Sequence, residues 1–114
     1  MKAVYIKEFG GPENLEVREL PDPKPIGSSV LVRVRAAGLN RADLLQRKGF
    51  YPAPDGYSSN VPGLEFAGEV AEVGDGVETW KPGDRVMAIT AGEAQAELVS
   101  VDASLLFKMP DQLS

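Results

Sequence analysis

The chain has 114 residues, 43% hydrophobic and 25% charged, with a net charge of −5, the size and composition of one globular domain with a single core. It contains no cysteine and no histidine, which excludes disulfides, thiolate metal sites, hydrolytic triads and zinc catalysis of the usual kind. The acidic balance argues against nucleic acid, and with neither a signal peptide nor an apolar run of about 20 residues, no membrane partner is expected and the cytoplasm is the default location.

In chain order, KAVYIKEFG (Lys2 to Gly10) reads as a strand entering a turn at Gly10-Gly11-Pro12. From Leu15 the pattern alternates, with Leu15, Val17 and Glu19 on one face. Pro21, Pro23 and Pro25 then hold the chain extended and stop sheet pairing. SVLVRVRAAG is the strongest strand. Val30, Val32, Val34 and Ala36 face one way and Leu31, Arg33 and Arg35 the other, the arginines forming a solvated face.

After Gly38 the period changes. Asn40 is placed to cap a short helix with Asp43 in its first turn, an apolar stripe of Ala42, Leu44 and Leu45, and Gly49 at its end. The proline- and glycine-rich stretch that follows is irregular, and so long a loop in a small domain is more often functional or disordered than idle. It holds Tyr51, whose hydroxyl either donates a hydrogen bond or merely rides on a ring packed under the loop.

GLEFAGEVAEVGDGV and WKPGDRVMAI read as two strands, the second entered through a type II turn at Lys81-Pro82-Gly83-Asp84. AQAELVSV and LLFKMP add two more. Six or seven strands with one or two short helices predict a mainly β barrel or sandwich. Ser114 is either part of a polar tail or the cap of a helix to follow, in which case the chain is one domain of a larger protein.

Gly74 and Gly76 do not make a dinucleotide fingerprint, because no third glycine follows at the required place. Glu65, between Leu64 and Phe66, is expected to be buried, and therefore either paired with a cation or set at a site.

The runs GLNRADLLQRKGFYP, GLEFAGEVAEVGDGV, KPGDRVMAI and AQAELVSV, in that order, resemble the N-terminal catalytic domain of medium-chain dehydrogenases/reductases, specifically the zinc-free quinone oxidoreductase branch. The resemblance covers essentially the whole chain. It implies a GroES-like, partly open β-barrel with one or two short helices over residues 1–114, followed in the family by a Rossmann domain that binds most of the NADPH and through which homodimers mainly form. Where zinc-dependent relatives have a cysteine and a histidine, this chain has Asn40 and Leu64, and the cysteine-rich lobe of many of those relatives is also missing. No metal is expected.

The implied activity is hydride transfer from NADPH to a quinone or other electrophilic carbonyl substrate, with the protein supplying position and hydrogen bonds. Asn40 and Tyr51 are the implied catalytic residues. Asn40, Tyr51 and Leu64 are the implied cofactor contacts, Asn40 near the nicotinamide amide or ribose and Tyr51 beside the nicotinamide and quinone. Asp43 would serve the first helical turn, Glu65 a structural role, and Gly63, Gly68, Gly74, Gly83 and Asp84 the turns. Alone, the chain would hold half an active site. Two alternatives stay open: another zinc-free enoyl or alkenal reductase of the same superfamily, or a stand-alone, non-catalytic interaction module.

Overall fold

Strand β1 (Lys2–Ile6) pairs antiparallel with β2 (Leu15–Glu19) across a 3-10 turn at Pro12–Asn14. This structure, a computed structural model, describes residues 1–50, 54, 57, 58 and 60–113. The remaining strands, β3 (Ser29–Ala37), β4 (Glu65–Val73), β5 (Arg85–Ile89), β6 (Leu98–Asp102) and β7 (Phe107–Lys108), form one antiparallel sheet in the order β6-β3-β4-β5-β7.

The two sheets meet along the segment before β6. Ala3 bridges Ala96, the Val4 N–H donates to the Gln95 carbonyl at 2.9 Å, and the Glu97 N–H donates to that of Lys2 at 2.9 Å. At the far edge, β7 covers only Val86 and Met87 of β5, so the curl stays open. The fold is therefore mainly β, a partly open barrel with, among the described residues, one short α-helix, α1 (Arg41–Lys48).

Alternation fills the core. Val30, Val32, Val70, Val86, Val99 and Val101 are all buried and pack around Phe66. β-Branched side chains suit this pleated, enclosed surface. Arg33 and Arg35 are exposed as expected, and Arg35 Nε donates to Glu69 Oε1 at 3.1 Å across the sheet.

Two details depart from the simple alternation. Leu31 is buried as well as Val30 and Val32, although β3 stays in one-for-one register with β6 from Ser29 to Arg33, so it is covered on the face opposite the two valines. Past Val34 the β3–β4 register shifts, and Ala36, expected with the valines, is exposed. In β2 the apolar Leu15 and Val17 point outward, and Glu16 and Arg18 are half-buried. The Arg18 guanidinium sits 3.8 Å from the centroid of the Tyr5 ring and pairs with Glu16, so this ribbon is held by a cation–π contact and an ion pair across its inner face.

The 81–84 turn forms as predicted. Gly83 has φ +94°, the Asp84 N–H donates to the Lys81 carbonyl at 3.1 Å, and the Asp84 carboxylate takes both the Lys81 N–H and its ammonium. Gly68 is a different case from a turn glycine. It lies mid-strand, where the Arg33 backbone leaves no room for a Cβ. The strand predicted from Ala94 begins only at Leu98, since Gln95 and Glu97 bond to β1 instead.

Candidate functional site

The helix after Gly38 forms where the sequence places it. Asn40 is its extended N-cap residue, at φ −132° and ψ 157°, and Gly49 ends it in the left-handed region at φ +85°. A side chain would be strained there, which is why glycine stops the helix. The Asp43 carboxylate reaches back, its Oδ2 accepting from the Asn40 backbone N–H at 3.0 Å, the acidic half of a capping box.

The buried face of α1 is polar, not the apolar stripe expected. Asp43 and Gln46 are 9% and 5% exposed, whereas Leu44 is 47% exposed. Asp43 Oδ2 also accepts from Gln95 Nε2 at 3.0 Å, and its second oxygen is buried with no partner among the described residues. One turn on, Gln46 Oε1 accepts from the Gly63 N–H at 3.1 Å. The helix thus faces the loop ends around residues 60–64 and 90–95 with hydrogen-bonding groups instead of hydrocarbon.

These bonds bring two predicted site residues to one corner. The Gly38 N–H donates to the Glu65 carbonyl at 3.2 Å, and the Thr90 N–H to that of Leu64 at 2.6 Å, so the turn carrying Asn40 lies beside the start of β4. Asn40 is exposed and Leu64 half-buried. Tyr51 lies outside the described residues.

Next to this corner runs a groove of about 460 Å³, walled by Ala36, Ala67, Met87, Ile89 and Phe107. Ile89 and Phe107 are 71% and 63% exposed. Among the described residues, Glu65 is the one ionisable group in its lining. The cation partner expected for Glu65 is missing among the described residues, since none of their ion pairs includes it. The residue is half-buried, not buried, and its place on the groove favours the other expectation, a position at a site.

Sequence reasoning passed over Gln46, Gln95 and Glu93, which hold the loop ends. Gln46 carried a weak signal, standing three positions after Asp43 and so on the same helical face. Glu93 carried none. It has φ +70°, yet its Oε1 accepts from the Ser58 N–H at 2.7 Å and its own N–H donates to the Val61 carbonyl at 2.9 Å.

The alcohol dehydrogenase GroES-like domain family matches residues 27–111. The chain belongs to that family. Among relatives of this GroES-like domain, the mouse synaptic vesicle membrane protein VAT-1 homolog-like is 38% identical over 114 residues, all of this chain and 27% of the relative. Acryloyl-coenzyme A reductase of Metallosphaera sedula is 47% identical over 89 residues, 78% of this chain and 26% of the relative. Among solved structures, Escherichia coli quinone oxidoreductase complexed with NADPH superimposes with a TM-score of 0.90 at 32% identity, covering all of this chain and 35% of that one. The GroES-like domain here therefore spans about a quarter to a third of the length of these relatives.

Proposed function

We propose that this GroES-like domain is the substrate-facing part of an NADPH-dependent reductase that passes hydride to a quinone or similar electrophilic carbonyl without zinc, and that a Rossmann domain in the same protein holds most of the cofactor. The observation that carries this is that Asn40 is exposed on the turn whose Gly38 N–H donates to the carbonyl of Glu65, the residue directly after half-buried Leu64. A carboxamide side chain offers both a donor and an acceptor to a nicotinamide carboxamide or ribose, and the apolar surface next to it suits a flat ring. Bound NADPH would supply the hydride. The chain's own part is to orient: Asn40 through hydrogen bonds, Leu64 by contact, and Tyr51 as a donor toward the substrate oxygen.

A zinc ion does not fit this corner. The chain has no histidine or cysteine, and among the described residues no three acidic side chains gather as a metal site. Quinones suit such a site because they accept electrons without a Lewis acid. No helix among the described residues is long and apolar enough to cross a membrane, and a cytoplasmic location and homodimer formation belong to the same proposal.

A second reading is favoured by the 47% identity to acryloyl-coenzyme A reductase. It makes the acceptor an activated carbon–carbon double bond, again without metal. Both readings predict that this chain alone binds NADPH poorly, because it has no dinucleotide fingerprint. Calorimetric titration of the 114-residue chain with NADPH tests this, and a micromolar or tighter Kd would overturn it. Steady-state oxidation of NADPH by the complete natural protein, with benzoquinone and with acryloyl thioester as acceptors, separates the two readings.

A further inference from the structure

The most unusual use of burial in this chain is α1, which hides Asp43 and Gln46 and exposes Leu44. A helix normally turns its apolar stripe inward. Burying a carboxylate is costly, and apolar replacements of buried charged groups are often neutral or stabilising. Stability alone therefore does not account for Asp43.

Its bonds do. A single oxygen, Oδ2, accepts from both the Asn40 N–H and Gln95 Nε2, each at 3.0 Å. Gln95 is itself fixed by its backbone, its N–H donating to the Pro62 carbonyl at 3.0 Å and its carbonyl accepting from the Val4 N–H at 2.9 Å. Gln46 ties the same helix to the Gly63 N–H, directly before Leu64. The turn carrying Asn40 thus cannot move relative to Leu64 without breaking a bond to Asp43 or Gln46. The short helix, the 62–64 segment and Gln95, itself tied to β1 through Val4, are locked to one another at the point where a ligand would have to be held to a fraction of an ångström.

We propose that Asp43 is the positioning residue of the candidate site, aiming Asn40 through its backbone N–H and holding that aim against the 62–64 segment through Gln95. This rests on the reading of Asn40 as a nicotinamide contact. An ordinary surface capping box would cap the helix equally well without Gln95 and without burial.

The test has two arms. In the first, amide hydrogen exchange is followed in the 114-residue chain by NMR for wild type, Asp43→Asn, Asp43→Ala and Gln95→Ala. The amide oxygen of the Asn variant can occupy the place of Oδ2, so Asn40 protection should stay within about threefold of wild type. The Ala variant should speed exchange at Asn40 by roughly tenfold or more, and Gln95→Ala by severalfold, with the β3–β4 amides unchanged. Should Asp43→Ala not fold, Gln95→Ala alone decides the arm. Unchanged Asn40 protection in the variants that fold would overturn the proposal.

In the second arm the complete natural protein is assayed for NADPH oxidation. Asp43→Ala should raise KM for NADPH more than it lowers kcat, Asp43→Asn should largely restore it, and Asp43→Ala with Asn40→Ala should be no worse than Asn40→Ala. Multiplying effects in the double variant would overturn the coupling. If the wild-type protein oxidises no NADPH, the functional reading fails while the exchange arm still decides whether Asp43 sets the position of Asn40.

Discussion

Gly68 in β4 packs directly on Arg33 in β3, so that a Cβ added to Gly68 would lie 2.9 Å from the Arg33 carbonyl carbon and closer still to its oxygen. The obstacle is backbone in the central strand pair of the sheet, which cannot swing aside as a side chain would. Gly68→Ala should therefore destabilise the domain by about 2–3 kcal/mol, in the range of overpacked cores. Urea denaturation followed by tryptophan fluorescence measures this, Trp80 being half-buried against the core. A loss below about 0.5 kcal/mol, typical of neutral surface changes, would mean that the strands separate easily at this bulge.

Gln46 should matter for its bond and not for its volume. Its Oε1 is the acceptor for the buried Gly63 N–H, and removing it leaves that donor stranded. Both Gln46→Ala and the similarly sized Gln46→Met should cost about 1–3 kcal/mol in the same denaturation experiment. A Met variant as stable as wild type would show that Gly63 finds another acceptor.

Glu93 sets two effects against each other. Its φ of +70° costs a non-glycine residue about 1–2 kcal/mol, and its carboxylate repays part of that by accepting from the Ser58 N–H. Glu93→Gly should leave the melting temperature within a few degrees of wild type while accelerating amide exchange at Ser58 several-fold. A large drop in melting temperature with Ser58 still protected would contradict this division.

The pH profile of stability follows from three groups. Hydrogen bonds from Lys81 hold the Asp84 carboxyl below its ordinary value of 3.8, and those from Ser104 and Ser28 do the same for Asp102. A carboxylate with a lowered folded pKa stabilises above its unfolded value, so stability should fall as pH drops below about 4. The N-terminal ammonium, bonded to Asp22, is raised above its ordinary value of 8.0, and its contribution is present below pH 8 and lost as the pH rises further. With no histidine in the chain, melting temperature should be nearly flat from about pH 5 to 7. Asp84→Asn should shallow the acid limb, and a midpoint near pH 6.5 would contradict the assignment.

The frame of the fold was legible because its signals are local and periodic. The β3 strand, the Pro-Gly turn before β5 and the Asn40-to-Gly49 helix all appear at their predicted places. What escaped was set by contacts distant in sequence. Leu31 is buried although it points away from Val30 and Val32, and no pattern within β3 announces the cover on that face. The polar face of α1 depends on Gly63 and Gln95, 17 and 52 residues away from Gln46 and Asp43. Asn40 and Leu64 were named through a family resemblance. Composition alone would have left Asn40 as a cap.

The most direct test of the central claim is NADPH oxidation, followed by absorbance, in the protein made from its complete natural reading frame, after dialysis against a strong chelator. The account predicts quinone- or enoyl-dependent oxidation that survives the chelator and falls sharply in Asn40→Ala. Absence of NADPH oxidation with either acceptor, or activity lost to the chelator and restored by zinc, would contradict it.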